Sequence, residues 1–554
     1  MRHKNIWTLV LLAAASIMPA HAQDTLFIVT QQKQMGVYPM GDDAYITFNR
    51  PKEQEKDTLV RQIPKTMKAI DICHSSRHYD FGIPAIMHIR DIMAEDMATQ
   101  PSGYDWFTSW SENKSLSAPF QTTYFVWKTY DNYISTANDV IARLQAKPQT
   151  TEVREALAQA RTFRAHAYLE MGQMYEFMPT DVIPVTQFHD SISGNTNNIL
   201  HLTVPIITQK TEPGTTLSVP RATKQELAAF IREDLDYAIG IFGQSATQRE
   251  SIEMPNLGVA HGLLARLYMW TGNYEQAAQQ ASEAIACCPG KPLTQAEWTN
   301  IYTGFNYANS SWLWGIRMKK DDEAVQSRLL NWTSWMSNEW TNGYAWAGVT
   351  LQISKALYDK IGNKDFRKLS WVPGDDNSTL DYFVKYANPN SKGSFGTYAS
   401  LKFRPANGNT GNYLSVAVDI PLMRVEEMYL IRAEAQAHLN AAEGKNLLNN
   451  FMQQYRDKSY RCTATAQDDI VKEIILQKRI ELWGEGQVFF DYKRLNLPVT
   501  RAYNGSNFNP STRFNTQTYP AWMNFVFPTP AIRQNTALEG WNNPDPSGLY
   551  FPYE

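Results

Sequence analysis

The sequence predicts a mostly α-helical protein in which tetratricopeptide-like helix pairs form a scaffold under an irregular, loop-rich layer with a few short strands. Two long blocks of the sequence show helical periodicity, and one segment has the pattern of a helix–turn–helix pair. Residues 291–420, between the blocks, lack this periodicity and are rich in Asn, Gly, Ser, Thr and aromatic residues. We therefore expect a signal peptide at 1–22, an N-terminal helical region at 23–290, a variable region at 291–420 and a C-terminal helical region with its tail at 421–554.

Both helical blocks show apolar residues at spacings near 3.6. The first block predicts helices over 123–144, 152–178 and 224–242, and the second over 425–439 and 468–490. Between the blocks, Ser311 to Ile316 is predicted to be a short strand, and its Trp312 and Trp314 are expected in the core.

The segment 260–289 follows the tetratricopeptide pattern of two antiparallel helices. Gly272 and Asn273 provide the turn, and Ala265 and Ala277 are small enough to let the helices approach closely. This predicts at least one complete repeat of that type.

The first residues have the form of a secretory signal peptide. Arg2 and Lys4 precede an apolar stretch over 6–18, and Ala-His-Ala ends directly before Gln23. The apolar stretch is too short to span a bilayer, and no later uncharged run reaches the roughly 18 residues that a spanning helix needs. We therefore expect an exported protein.

Composition and motifs exclude several classes of protein. Lys and Arg total 52 against 55 Asp and Glu, a net charge of −3, so the chain lacks the basic surface that nucleic-acid binding requires. Four cysteines, Cys73, Cys287, Cys288 and Cys462, are too few for a disulfide scaffold, and their redox state stays open. No phosphate-binding loop, dinucleotide fingerprint or metalloprotease motif is present, so no cofactor and no metal are predicted.

Six segments, taken in order, resemble one known family across nearly the whole mature chain. They are YDNYISTANDVIARL (130–144), REALAQARTFRAHAYLEMGQMY (154–175), the repeat at 260–289, PLMRVEEMYLIRAEAQAHLN (421–440), IILQKRIELWGEGQVFFDYKRLN (474–496) and FVFPTPAIRQNTAL (525–538). This series is similar to the SusD/RagB nutrient-binding proteins of Bacteroidetes. The resemblance implies four tetratricopeptide-like helix pairs that support a variable ligand-binding region.

The resemblance also implies a location, a partner and a non-catalytic role. Members capture oligosaccharides, or peptides in the RagB branch, at the outer face of the outer membrane, as lids on a SusC-like TonB-dependent barrel. A structural surface protein without a nutrient ligand is a further alternative. Most members carry a lipidated Cys after the signal peptide, whereas here the first cysteine is Cys73, so anchoring by lipid is not expected.

Two clusters of aromatic and amide side chains are candidates for the ligand site. Aromatic rings offer flat apolar surface to sugar C–H faces, and amides pair with hydroxyl groups. The nine residues that we expect to contact a ligand are Tyr104, Trp106, Trp110, Asn113, Trp332, Trp335, Asn338, Trp340 and Tyr344. Trp346, Asn331 and Asn342 lie in the second of these stretches. The alternative is that both clusters belong to the core.

One carboxylate pair, Glu481 and Glu485, has a spacing that puts both groups on one helix face. Paired carboxylates can hydrolyse glycosidic bonds, but this pair lies on a helix that the family uses for packing. We therefore expect ion pairing here, and we do not expect an enzyme.

Overall fold

The computed structural model describes residues 80–101, 107–189, 196–211, 217–245, 249, 251–374, 386–391 and 396–553. These residues all belong to one compact unit. The expected signal peptide, Cys73, Tyr104 and Trp106 lie outside the described residues.

The described residues are mostly helical, as predicted. The α-helices are α1 (Ile83–Met93), α2 (Phe107–Ser111), α3 (Gln121–Gln145), α4 (Thr151–Tyr175), α5 (Lys224–Phe242), α6 (Leu257–Thr271), α7 (Tyr274–Ala286), α8 (Gln295–Trp298), α9 (Glu323–Gln326), α10 (Trp332–Met336), α11 (Lys355–Tyr358), α12 (Val425–Leu439), α13 (Ala441–Tyr455), α14 (Gln467–Glu481), α15 (Val488–Arg494) and α16 (Thr529–Gln534). The strands are β1 (Met97–Ala98), β2 (Gln187–His189), β3 (Thr196–Asn198), β4 (Trp312–Arg317), β5 (Gln352–Ile353) and β6 (Asp419–Arg424).

The long helices pack against their neighbours in sequence and form the scaffold. Helix α4 lies between α3 and α5, α6 packs on α7, and α12 contacts α7, α13 and α14. Local signals begin these helices where expected. The Thr150 side chain accepts a hydrogen bond from the Val153 amide at the start of α4, and Thr223 with Glu226 forms a capping box on α5.

The tetratricopeptide-like repeat is confirmed by α6 and α7. Gly272 ends α6 with φ +76°, a left-handed conformation that glycine adopts without strain, and the Asn273 side chain caps α7. Ala265 and Ala277 are fully buried, so the helices approach closely, as the small residues predicted.

The predicted helix over 468–490 is interrupted at 482–487. Helix α14 ends at Glu481 and α15 begins at Val488. Gly484 and Gly486 between them have φ +77° and +67°, and a Cβ on Gly486 would lie 2.7 Å from the Met87 Cα atom. The turn therefore requires glycine for both its conformation and its close approach to α1.

The strands form three two-stranded antiparallel pairs, β1–β5, β2–β3 and β4–β6. The strand predicted at Ser311 to Ile316 corresponds to β4. As predicted, its Trp312 and Trp314 are buried in the core. The pairing of β4 with β6 joins the variable region to the start of α12.

Candidate functional site

Six of the nine expected ligand-contacting residues lie in the protein interior. Each has a side chain no more than 2% exposed: Trp110, Asn113, Trp332, Trp335, Asn338 and Trp340. A sugar can stack only on an accessible ring face, so this burial contradicts direct ligand contact by these six residues. We therefore correct the prediction: these six side chains support the fold from the interior. For the tryptophans, burial of the large indole in the core stabilises the protein more than exposure would.

The buried residues instead hold the loops in place. Asn338 Nδ2 donates to the Leu351 and Ser400 carbonyl oxygens at 2.8 and 2.9 Å, and its Oδ1 accepts from the Leu351 amide at 3.1 Å. Trp110 stacks on Phe525 with ring centroids 4.9 Å apart. The amides among the tryptophans therefore satisfy backbone groups of irregular loops.

The chain segment that contains the first expected cluster contacts the second cluster inside the protein. Phe107, directly after residues 102–106, places its ring edge on Trp335 with centroids 4.8 Å apart. Trp335 then stacks on Tyr344 at 4.3 Å with an interplanar angle of 14°. Tyr344 is partly exposed, so of the expected residues that the structure describes it is the one that offers surface to a ligand.

An accessible surface with the required chemistry lies beside Tyr344. We call the accessible residues of three segments that contact one another the aromatic face, and we define it as Arg328, Thr341, Asn342, Tyr344, Trp346 and Tyr413. Trp346 is 39% exposed and Tyr413 is 45% exposed. The face thus combines exposed rings with amide, hydroxyl and guanidinium groups, which is the combination that carbohydrate binding needs. Sequence analysis noted Trp346 and Asn342 but missed Arg328 and Tyr413.

Four hydrogen bonds fasten the two loops of the aromatic face to each other. The Thr341 amide and its Oγ1 donate to the Thr410 carbonyl at 2.8 and 2.9 Å. Asn342 Nδ2 donates to the Gly411 carbonyl at 3.1 Å, and Trp340 Nε1 donates to the Asn412 carbonyl at 3.2 Å. These bonds hold the two loops together without a ligand, and such pre-ordering lowers the entropic cost of binding.

The loop that carries Tyr413 is also ordered from within. Asn409 Oδ1 accepts from the amides of Gly411 and Asn412, and Asn412 Oδ1 accepts from the Leu414 amide at 2.8 Å. These side-chain bonds replace the backbone pairing that a strand would provide. The Arg328 guanidinium lies over the Tyr413 ring, with Cζ 4.6 Å from its centroid.

A concavity apart from the aromatic face, with a volume of about 620 Å³, includes Tyr358, Tyr386 and Tyr398 in its lining. Three of its four charged side chains are used within the protein: Asp365 pairs with Arg367, Asp359 pairs with Lys355, and Lys368 Nζ donates to the Ile361 carbonyl at 2.9 Å. The aromatic face, whose arginine makes no such pair, is the better candidate for ligand binding.

Glu481, at the end of α14, and Glu485, in the turn after it, form ion pairs, as expected. Glu481 is fully buried and Glu485 is 4% exposed. Glu481 contacts Arg456 at 2.8 Å, and Glu485 contacts Lys402 at 2.6 Å and Arg424 at 2.8 Å. Burial would raise the pKa of Glu485, but the Arg424 and Lys402 charges outweigh it and lower that pKa.

Within the described ranges, no helix is both long and apolar enough to cross a membrane. Cys287, Cys288 and Cys462 have free thiols.

The fold and site together define a helical-repeat scaffold that presents a loop-built aromatic surface. The model of the SusD family matches residues 317–553, and a second model, described as starch-binding and associating with the outer membrane, matches residues 84–269. The chain belongs to the SusD/RagB family.

Solved structures share this fold at low sequence identity. A SusD-like carbohydrate binding protein from Bacteroides vulgatus is 21% identical, with a TM-score of 0.68 over 89% of this chain and 98% of that one. Surface glycan-binding protein A from Bacteroides thetaiotaomicron, solved in complex with laminarihexaose, is 17% identical, with a TM-score of 0.62 over 88% and 99% of the respective chains. No curated protein matches the sequence.

Proposed function

We propose that this protein binds an oligosaccharide at the aromatic face, without catalysis, at the outer face of the outer membrane. In this proposal it passes the ligand to a SusC-like TonB-dependent barrel. The observation that carries the binding step is the pair of exposed rings, Trp346 and Tyr413, on loops that hydrogen bonds hold together. The expected signal peptide at 1–22 would provide export.

Physical chemistry favours a sugar over other ligands at this face. The C–H face of a pyranose packs on an aromatic ring, and its hydroxyl groups bond to side chains such as Asn342 and Thr341. The family model described as starch-binding, and the relative solved with laminarihexaose, support the same ligand class. The buried, ion-paired state of Glu481 and Glu485 supports a role without hydrolysis.

A peptide ligand of the RagB kind is the alternative that the resemblance raised. Extended peptides bind chiefly through main-chain hydrogen bonds to free backbone groups. On the aromatic face, the carbonyls of Thr410, Gly411 and Asn412 already accept bonds from Thr341, Asn342 and Trp340. This arrangement favours stacking on the rings over pairing with a peptide backbone.

Replacing Trp346 or Tyr413 with alanine tests the proposal. Each change removes one stacking ring, and we expect glycan affinity to fall about tenfold, equivalent to about 1.4 kcal/mol. Calorimetric titration of residues 23–554 against oligosaccharide and peptide panels would measure it. Trp541→Ala is the matched control, because Trp541 is 36% exposed and lies outside the aromatic face.

Three outcomes separate the candidate functions. Glycan binding that weakens in W346A and Y413A but not in W541A supports the proposal. Binding only to peptides assigns the protein to the RagB branch. Glycan binding that all three variants retain places the ligand elsewhere on the molecule and removes the aromatic face as its site.

A further inference from the structure

Arg328 is held in a strained conformation on the aromatic face. Its φ is +70°, a left-handed backbone conformation that costs a residue with a Cβ roughly 1–2 kcal/mol. The Asn331 side chain keeps it there, since Nδ2 donates to the Arg328 carbonyl at 2.8 Å. Asn331 Oδ1 meanwhile accepts from the Ser334 amide and caps α10, so one buried amide fixes both elements.

The Arg328 guanidinium is exposed, and none of the acidic side chains that the structure describes forms an ion pair with it. Its contact in the described part of the chain is the Tyr413 ring, and none of the ion pairs there includes it. Other arginines of the variable region differ: Arg404 is paired with buried Glu339 at 2.7 Å, and Arg317 with Asp419 at 3.2 Å. Five N–H donors on Arg328 are therefore available for a ligand.

The two loops around Arg328 provide no competing charge. The segments TNGYAWAGVT (341–350) and NTGNYL (409–414) contain no Asp, Glu, Lys or Arg. Glu339, the nearest acid in sequence to the first of them, is fully buried and paired with Arg404. Among the six residues that define the aromatic face, Arg328 therefore provides the one charge, beside an exposed ring.

We propose that the aromatic face selects an anionic glycan, whose carboxylate or sulfate group binds Arg328 while a sugar ring packs on the part of Tyr413 that the guanidinium leaves exposed. The planar guanidinium fork can pair with a carboxylate or a sulfate through two parallel hydrogen bonds. Its position over the Tyr413 ring places the charge within one sugar unit of the stacking surface. This inference rests on the proposed function and narrows its ligand to uronate-containing or sulfated oligosaccharides.

Paired ligands that differ in charge alone test the inference. Neutral, carboxylated and sulfated oligosaccharides of one backbone and length would be titrated against residues 23–554 at low and moderate salt. We expect an anionic form to bind at least tenfold more tightly than the neutral one, with an advantage that falls as salt rises. The carboxylated and sulfated arms show which anion the site accepts.

Arg328→Gln should abolish the preference for the anionic ligand, so that the neutral and anionic forms bind this variant with affinities within about twofold of each other. Arg328→Lys keeps the charge but loses the fork, so we expect it to retain only part of the preference. Arg533→Gln removes the same net charge from an exposed position on α16, outside the aromatic face, and should change neither affinity. Circular dichroism would confirm folding of each variant.

The contrary outcomes distinguish failure of the anionic-ligand inference from failure of the proposed glycan binding. Equal affinities for neutral and anionic forms, or a preference that R328Q retains, refute the anionic ligand and leave the proposed glycan binding intact. The absence of binding to every glycan, charged or neutral, refutes both proposals together. Loss of neutral and anionic binding alike in folded R328Q shows that Arg328 supports the ring and does not select charge.

Discussion

Replacing Glu481 with glutamine is expected to destabilise the protein by about 3–5 kcal/mol, the range for removing one partner of a buried ion pair. The Glu481 carboxylate contacts three guanidinium groups: Arg456 at 2.8 Å, Arg367 at 3.1 Å and Arg424 at 3.2 Å. All four side chains are fully buried. A neutral amide would leave three cations with too little negative charge in a region that water does not reach.

The buried cluster around Glu481 contains equal numbers of positive and negative groups. Removing one negative charge should therefore cost much of the free energy of unfolding. Its cations are Arg367, Lys402, Arg424 and Arg456, and its carboxylates are Asp365, Glu426, Glu481 and Glu485. The cluster joins α14 to the start of α12 and to the variable region. Its loss should therefore loosen both the scaffold and the loops that the scaffold supports.

Chemical denaturation of the wild type and Glu481→Gln would measure the effect. Asp469→Asn is the matched control on the same helix, because it breaks the ion pair with Lys472, in which both side chains are more than half exposed. Exposed pairs contribute about 0–1 kcal/mol, so the control should unfold close to the wild type. Similar losses in both variants would contradict a special role for the buried cluster.

The wild type should lose its greater stability over Glu481→Gln as the pH falls. Burial acts to raise the pKa of Glu481, but the Arg456, Arg424 and Arg367 charges outweigh it and hold that pKa well below its ordinary 4.5. A lowered folded-state pKa stabilises the protein at pH values above the unfolded-state pKa, and this contribution is lost as pH falls toward the folded-state pKa. Denaturation would be measured from pH 7 to pH 3. The difference in free energy of unfolding between the two proteins should stay constant down to about pH 4.5 and shrink below it. A difference that grows on acidification would contradict this.

The ion pairing of Glu481 could be predicted from the sequence, but its partners could not. The i,i+4 spacing with Glu485 and its place on a packing helix favoured ion pairs. The arginines that bind it lie 25, 57 and 114 residues away along the chain. The adjacent Lys478 and Arg479 instead pair with Glu434 and Asp96. Contacts over such separations depend on tertiary packing, which local patterns do not encode.

The helical scaffold was largely predictable because burial on one helix face leaves a period near 3.6 in the sequence. Helix α5 has the predicted bounds of 224–242. Helix α13 (Ala441–Tyr455) was missed, and the turn at Gly484 and Gly486 was read as helix. The second error lies at a helix junction, where a short turn leaves little periodic signal.

The aromatic-rich stretch was harder to interpret, because polar neighbours were taken as a sign of exposure. Asn331 and Asn338 are fully buried, and their amides bond to loop backbone. An irregular chain requires such side-chain partners, so polar residues accompany the buried tryptophans without making them accessible. Tyr413 and Arg328 lie 85 residues apart in numbering, and only folding brings them together.

At the junction of α12 and α13, replacing Gly444 with alanine is expected to destabilise the protein strongly, because this glycine lets the two helices approach closely. A Cβ on Gly444 would lie 2.4 Å from the Ala437 Cα, N and Cβ atoms. Backbone atoms cannot rotate away, and the connection between the helices is a single residue, Asn440. Gly444→Ala should therefore destabilise the protein by about 3 kcal/mol, the upper end of typical overpacking costs.

Gly240→Ala is the matched control, because Gly240 lies within α5 and its added Cβ would meet nothing within 4 Å. In open space alanine restricts the unfolded chain and favours the helix, so we expect a gain of about 0.5–1 kcal/mol. The same substitution should thus have opposite signs at two helical sites in one protein, measured by the same denaturation experiment. Equal effects at both sites would mean that helix propensity, and not the close contact of α12 with α13, governs these positions.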